Sequence, residues 1–130
     1  MADGQSERGR IYRWPRNRAF GDSKPRPVLV ISPDAANRYS RRWVVVPLSS
    51  DPRLSGVALA VGLSPTPNNG LDKTSYAMSW LPTTVDRSQL DGPIGRVEQA
   101  ELRLVLNTLS AALDLEMVEP WTSPPAPHSR

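Results

Sequence analysis

Two short runs of branched apolar residues lie in the first 50 positions and predict two buried strands. The segment RPVLVIS occupies residues 26–32, and WVVVPLSS occupies residues 43–50. Continuous apolar runs of this length, bounded by turn-forming residues, are typical of strands buried on both faces. Pro47 cannot donate a hydrogen bond to a neighbouring strand. We therefore expect the second strand to bulge or leave the sheet there, turning residues 48–50 onto its rim.

Shorter apolar segments predict the other elements of the sheet. The residues from 33 to 42 offer a helical turn at most, with Pro33 suited to its start, and residues 65–73 are rich in turn formers. The segment TTVDRSQL, residues 83–90, separates the last two strands. The further strands are expected at residues 10–14, 56–63, 75–81 and 92–97.

One amphipathic helix is predicted, over residues 98–113. Its apolar residues recur at the helical period and form one stripe: Leu102, Val105, Leu106, Leu109 and Leu113. Five or more short strands with one late helix predict a mainly β fold of the α+β type, a small curved antiparallel sheet or partly closed barrel with the C-terminal helix packed on it. We expect a disordered N-terminus over residues 1–8, a single domain over residues 9–116, and a disordered proline-rich tail over residues 117–130.

Composition narrows the setting of this fold. The chain has 130 residues, 14 of them proline and none of them cysteine, which excludes disulfides and thiolate chemistry. Its first residues have no apolar signal core, and its apolar runs are too short to span a bilayer. We therefore expect a cytoplasmic protein with no membrane partner.

The charge is divided unevenly along the chain. The first 50 residues hold ten basic and four acidic side chains, a net charge of +6, whereas the remaining residues carry −3. Of the 16 basic residues 14 are arginine, whose planar guanidinium matches phosphate oxygens two at a time. A phosphate-rich partner such as RNA or DNA is one interpretation. A solvated arginine-rich surface is the other, and composition alone does not separate them.

Few catalytic or metal-binding patterns are present in the sequence, which restricts the chemistry. The single histidine, His128, falls in the predicted tail, and no glycine-rich phosphate loop is present. The carboxylates are scattered; Glu98 and Glu101 lie one helical turn apart, where they favour the helix dipole. No metal-ligand set is visible, so neither a metal nor another cofactor is expected. An enzyme built on this sequence would work with Arg, Ser, Thr and one acid.

Six segments, taken in order and at their spacing, resemble the MazF/PemK family of endoribonuclease toxins from toxin–antitoxin pairs. The resemblance covers about residues 9–115. The segments are KPRPVLVIS (24–32), Asn37, VVVPLSS (44–50), the residues from 70 to 77, TTVDRSQL (83–90) and IGRV (94–97). The resemblance implies a small curved β-barrel with a C-terminal helix, a homodimer, metal-independent cleavage of single-stranded RNA at short motifs, and a cognate antitoxin protein as partner.

The resemblance also implies two catalytic residues. Arg26 matches the arginine of the family's Arg-Pro pair at the entrance of the buried strand, and Ser49 matches the hydroxyl residue that closes the next one. Pro25 and Pro27 would stiffen the approach to Arg26, so that its guanidinium loses less freedom on meeting a phosphate. In the implied reaction the ribose 2′-OH attacks the adjacent phosphorus. Arg26 stabilises the added negative charge, Ser49 hydrogen-bonds a phosphate oxygen, and Ser50 completes the anion site.

Other residues are predicted around this pair. The general base is unassigned, because arginine stays protonated below pH ~12, and Asp22 is its candidate. Many relatives carry an acidic residue, Gln and a basic residue where this chain has Trp80, Leu81 and Thr83, so their cleavage motif does not transfer. Trp80 either stacks a base or belongs to the core. The expected RNA-binding residues are Arg13, Arg16, Arg18, Lys24, Ser50, Trp80 and Thr83.

Two alternative functions stay open at this point. A related toxin barrel binds a protein target, as gyrase-poisoning toxins do, and would not need the Arg26 and Ser49 pair. A catalytically silent module that binds RNA or a partner is favoured if the altered segment SWLPTT, residues 79–84, has lost the RNA groove.

Overall fold

The computed structural model describes residues 6–15 and 24–115, and these residues form seven β-strands and two α-helices. The strands are β1 (Arg10–Trp14), β2 (Arg26–Val30), β3 (Arg42–Ser49), β4 (Ala60–Leu63), β5 (Ser75–Met78), β6 (Thr83–Asp86) and β7 (Asp91–Arg96). The helices are α1 (Asp34–Asn37) and α2 (Gln99–Ala112). Two short 3₁₀ helices cover Pro52–Gly56 and Arg87–Gln89.

The seven strands form one antiparallel sheet in the order β4-β5-β3-β2-β1-β7, with β6 also paired to β3. Strand β3 is central, because one of its edges holds β2 while the other holds first β6 and then β5. The sheet is not closed, since β4 and β7 end the strand order without pairing to each other. The predicted mainly β fold with a C-terminal helix is confirmed.

Pro47 does not break β3, so the prediction that the strand bulges or leaves the sheet there is wrong. The strand continues to Ser49, and Pro47 pairs with Val28 of β2. The Val44 carbonyl accepts hydrogen bonds from the β2 side, so alternation along the strand turns the nitrogen of Pro47 to the other edge. On that edge Pro47 lies between the residues that pair with β6 and those that pair with β5. Its missing N–H therefore costs no ladder hydrogen bond.

The end of β3 also differs from the prediction. Leu48 is buried in the core instead of being turned onto the rim, because it faces the same side of the sheet as Val46. Ser49 is half-buried and Ser50 is exposed, so only these two residues reach the expected position.

Several elements begin or end at residues other than those predicted. Strand β4 begins at Ala60 instead of residue 56, because Asp51 caps a 3₁₀ helix over Pro52–Gly56 by accepting from the Arg53 N–H at 2.9 Å. Strand β5 ends at Met78 instead of residue 81. Strand β6 lies within TTVDRSQL, residues 83–90, the segment for which the sequence predicts no strand.

The sheet buries an apolar cluster on each face. On one face α2 packs through Leu102 and Val105, with Leu106 and Leu109 partly buried beside them, which confirms the predicted stripe apart from Leu113, 49% exposed. The other buried residues of that cluster are Ile11, Leu29, Ile31, Val46, Leu48, Val61, Leu63, Leu71, Ala77 and Val97. The opposite face buries Tyr12, Trp14, Val28, Val30, Trp43, Val45 and Val85.

The carboxylate of Asp34, at the start of α1, holds residues 6–8 against the domain. It accepts hydrogen bonds from the Ser6 hydroxyl, from the Glu7 N–H at 3.0 Å and from the Arg8 N–H at 3.3 Å. Burial acts to raise the pKa of the Asp34 carboxyl, but the hydrogen bonds from Ser6, Arg8 and Glu7 outweigh it and hold the pKa below its usual value.

Replacing Asp34 with alanine is expected to lower the free energy of unfolding by about 1–2 kcal/mol at neutral pH, because these donors lose their acceptor. Since the folded-state pKa of Asp34 is lowered, its contribution is complete above the unfolded-state value and is lost as pH falls through the folded-state value. Urea unfolding should therefore show that the difference in the free energy of unfolding between wild type and Asp34→Ala becomes smaller in acid. Asp72→Ala, in an exposed loop, is the matched control. Equal free energies of unfolding for wild type and Asp34→Ala at neutral pH would contradict this role.

Candidate active site

Arg26 is the first residue of β2 and is held against the end of β3. Its side chain is half-buried, and its guanidinium Nη1 donates to the Leu48 carbonyl at 3.3 Å. On the other side, Trp14 of β1 lies directly opposite Arg26 in the sheet, and its ring is buried. The arginine at the mouth of a buried strand is therefore held between two neighbouring strands.

Arg26 and Ser49 lie at the same end of two neighbouring strands. Val28 lies opposite Pro47 and Leu29 opposite Val46, and just beyond this pairing the Arg26 guanidinium reaches the Leu48 carbonyl. Arg26 lies opposite Trp14 and so faces the side of the sheet that buries Trp14 and Val45, and alternation along β3 puts Ser49 on the side of Val45. The two residues assigned to catalysis by the family resemblance therefore share the face opposite α2.

The hydroxyl of Ser49 is oriented by the turn that follows β3. Its Oγ accepts a hydrogen bond from the Asp51 N–H at 3.2 Å, which leaves the hydroxyl hydrogen to be donated elsewhere. The Asp51 carboxylate turns to Arg53 at 2.8 Å, and hydrogen bonds from Arg53 hold the pKa of Asp51 below its usual value. This turn thus fixes the Ser49 hydroxyl at the end of β3, the end to which the Arg26 guanidinium also bonds.

The pair offers two kinds of hydrogen-bond donor on one patch of the sheet. A guanidinium is a charged, planar donor suited to two oxygens of a phosphate, and a serine hydroxyl donates to a further oxygen. Because Arg26 is partly withdrawn from water, its interaction with an anion is screened less than that of an exposed arginine. The arrangement suits a phosphodiester that gains negative charge.

Of two predicted RNA-binding residues in the segment 79–84, Thr83 lies on this face and Trp80 lies in the turn before it. Thr83 begins β6 opposite Val45, so it faces the same side of the sheet as Ser49, and its Oγ1 donates to the Leu81 carbonyl at 2.9 Å. Trp80 lies in the turn between β5 and β6, not in a strand, and is half-buried. Both the base-stacking and the core interpretation of Trp80 stay predictions.

The other predicted RNA-binding residues are spread more widely. Lys24 and Ser50 are exposed, and each lies one or two residues from Arg26 or Ser49 in sequence. Arg13 is exposed but lies opposite Pro27, so it faces the side of the sheet away from Arg26. The remaining candidates lie outside the described residues: Arg16, Arg18 and the acid–base candidate Asp22.

Tyr76 of β5 is a residue of this face that sequence reasoning missed. It lies directly opposite Ser49, on the side away from Arg26. The sequence marks SYAM as strand-like, but no local signal shows which residue of β5 meets Ser49, because that depends on long-range register.

Neither a metal-ligand group nor a membrane-spanning helix is found in the described part of the chain. In residues 6–15 and 24–115, no group of three or more His, Cys, Asp or Glu side chains is placed to hold a metal ion. Within the same part of the chain, no helix is both long and apolar enough to cross a membrane.

Comparisons with known proteins agree on one group of relatives. A family profile described as PemK-like, MazF-like toxin of type II toxin–antitoxin system matches residues 7–113. A probable endoribonuclease MazF of Mycolicibacterium smegmatis is 35% identical over 95 residues, covering 73% of this chain and 84% of the relative.

Solved structures share the fold. An endoribonuclease from a mycobacterial species is 27% identical, with a TM-score of 0.65 over 88% of this chain and 93% of the other. A mycobacterial endoribonuclease in complex with its cognate antitoxin is 25% identical, with a TM-score of 0.65 over 88% of this chain and 95% of the other.

Proposed function

Because the chain belongs to the family of PemK-like, MazF-like toxins of type II toxin–antitoxin systems, we propose that it is an endoribonuclease that cuts single-stranded RNA at short sequence motifs without a metal. The observation that carries this proposal is the placement of Arg26 and Ser49. The two side chains come from neighbouring strands and lie on one face of the sheet. The Arg26 guanidinium donates to the Leu48 carbonyl, and the Ser49 hydroxyl, which accepts from the Asp51 N–H, keeps its own hydrogen to donate.

The proposed reaction uses the RNA's own nucleophile. The ribose 2′-oxygen attacks the adjacent phosphorus, the bond from phosphorus to the 5′-oxygen breaks, and the products are a 2′,3′-cyclic phosphate and a 5′-hydroxyl. The proton of the 2′-OH leaves to a base, and the departing 5′-oxygen gains one. Neither step requires a change of oxidation state or a further reactant.

Arg26 acts on the charge that builds up at phosphorus. The non-bridging oxygens become more negative in the pentacoordinate state, and donors already in position stabilise that charge more than they stabilise the ground state. The contact from Arg26 to the Leu48 carbonyl positions the guanidinium before RNA binds. Ser49, held by the Asp51 N–H, donates its hydroxyl hydrogen to a phosphate oxygen. The base is not assigned to any described residue.

The partners follow from this activity. The relative solved with its cognate antitoxin supports the proposal that this chain also binds an antitoxin protein, which would silence cleavage. A disordered segment that folds on the RNA-binding face would suit this task, because it can cover a large surface. We also propose a homodimer and action in the cytoplasm, where the RNA substrate is found.

Mapping of new RNA ends tests the proposed function. Purified wild-type protein is incubated with a long unstructured RNA, and the 5′ ends are located by primer extension. Cuts recurring at one short motif are the expected result. RNA that binds but stays intact would favour a silent module, while intact, unbound RNA together with inhibition of gyrase would favour a toxin with a protein target.

A further inference from the structure

Tyr76 and Gly62 extend the row of residues that contains the catalytic pair. Strand β5 places Tyr76 directly opposite Ser49, and β4 places Gly62 directly opposite Tyr76. Directly opposed residues share a face, and Arg26 faces the same side through its pairing with Trp14, so Arg26, Ser49, Tyr76 and Gly62 lie on four strands on one side of the sheet. The Cβ atoms of Ser49 and Tyr76 are expected about 4.5–5.5 Å apart.

The ring of Tyr76 rests over Gly62. A Cβ atom at Gly62 would lie 3.4 Å from Cε1 and 3.7 Å from Cδ1 of Tyr76, which is ordinary to tight van der Waals contact. Glycine at this position therefore lets the ring lie close to the backbone of β4. Tyr76 is half-buried, so part of its side chain is accessible to solvent. An aromatic side chain over a strand glycine stabilises the strand pair, but that role does not require Ser49 as the neighbour.

We propose that Tyr76 forms a nucleobase-stacking subsite beside the Arg26–Ser49 pair. This inference rests on the proposed function and specifies which part of the RNA the site holds. Aromatic rings bind single-stranded nucleic acid by stacking, and the stacking tolerates any base because every base has a π-face. With the scissile phosphate on Arg26 and Ser49, the base of a directly adjoining nucleotide lies within reach of the Tyr76 ring.

The test compares two substitutions of Tyr76 on a short RNA that carries one mapped cleavage site. Tyr76→Leu removes the aromatic ring but keeps an apolar side chain over Gly62, and it should lower kcat/KM on the order of 10-fold, the scale of one lost base stack. Tyr76→Phe keeps the ring and should stay within about 2-fold of wild type. Tyr39→Leu, at a tyrosine 91% exposed between α1 and β3, is the matched control and should have no effect.

Abasic substrates separate stacking from a general loss of fold. An abasic nucleotide on one side of the scissile bond should lower wild-type kcat/KM by a similar factor and erase the difference between wild type and Tyr76→Leu. The inference is overturned if kcat/KM of Tyr76→Leu equals that of wild type on the normal substrate. It is also overturned if Tyr76→Leu falls below wild type by the same factor on the abasic substrate as on the normal one. Cleavage by wild type and its loss in Arg26→Lys would leave the proposed function standing in that case.

A binding measurement keeps the inference testable if cleavage fails or if Tyr76→Leu does not fold. The probe is an RNA with a 2′-deoxy residue at the site and the fluorescent base 2-aminopurine beside it. Wild type and Tyr76→Phe should quench its fluorescence on binding, and Tyr39→Leu should quench it equally. Binding without quenching by wild type would overturn the subsite. If the protein binds this probe but leaves unmodified RNA intact, the result counts against the proposed cleavage and not against the subsite.

Discussion

Arg26→Lys is expected to cut RNA on the order of 10²-fold more slowly than wild type while binding RNA within a few-fold of it. Lysine keeps the positive charge and therefore keeps the general attraction for RNA. Lysine lacks the planar guanidinium, which can donate to two phosphate oxygens and which in Arg26 donates to the Leu48 carbonyl at 3.3 Å. The loss should therefore fall on the chemical step, which single-turnover cleavage and anisotropy binding measure separately.

The matched control for this change is Arg103→Lys. Arg103 is exposed on α2, which packs on the face of the sheet opposite Arg26 and Ser49, so cleavage and binding should both match wild type. Ser49→Ala should resemble Arg26→Lys with a smaller loss, because a neutral donor stabilises less charge. Equal losses of binding and cleavage in Arg26→Lys would mean that Arg26 only attracts RNA.

Gly95→Ala is expected to destabilise the domain by about 3 kcal/mol or more, the scale of severe overpacking. Gly95 lies in β7 against the loop over residues 64–73, and a Cβ atom there would overlap the Asn69 carbonyl group and come within 2.6 Å of the Asn68 carbonyl oxygen. The obstacle is backbone rather than a mobile side chain, so it cannot move aside cheaply.

The loop that opposes Gly95 is held in place by a buried side chain. Asn69 is fully buried; its amide donates to the Ser64 carbonyl at 2.8 Å, and its side-chain oxygen accepts from the N–H groups of Thr66 and Leu71 at 3.1 and 3.0 Å. The Arg96 N–H also donates to the Asn68 carbonyl at 2.8 Å. Relieving the clash would break several of these bonds, and those of the Asn69 side chain would leave buried polar atoms without a partner.

Urea unfolding followed by circular dichroism measures this effect. Gly56→Ala is the control, because a Cβ atom at Gly56 would meet nothing within 4 Å. If Gly95→Ala unfolds at the same urea concentration as Gly56→Ala, the close packing of the loop on β7 is wrong.

The elements predicted from the sequence are those with a strong local apolar pattern. Strands β2 and β3 consist largely of branched apolar residues, and α2 repeats its leucines at the helical period, so each carries its own signal. Strand β6 reads TTVD and buries only Val85, so its strand character comes from pairing with β3. The predicted bulge at Pro47 is wrong for a related reason, because the effect of a proline depends on which edge of β3 its nitrogen faces.

The site was predictable to the extent that it resembles known toxins. The segments around Arg26 and Ser49 indicate the two residues, and the pairing of β2 with β3 puts them at the same end of neighbouring strands. Tyr76 could not be found in the same way, since its position opposite Ser49 results from pairing between segments that are distant in sequence. The general base stays unassigned because its candidate, Asp22, lies outside the described residues.

Cleavage in the presence of EDTA, followed by analysis of the new RNA ends, tests the central claim most directly. If Arg26 and Ser49 stabilise attack by the ribose 2′-OH, purified protein should cut at an unchanged rate in EDTA and leave a 2′,3′-cyclic phosphate and a 5′-hydroxyl. The cyclic phosphate is detected by mass spectrometry, and the 5′-hydroxyl by direct labelling with polynucleotide kinase. Cleavage only with added Mg²⁺ or Mn²⁺, or a 5′-phosphate on the new ends, would contradict the proposed mechanism.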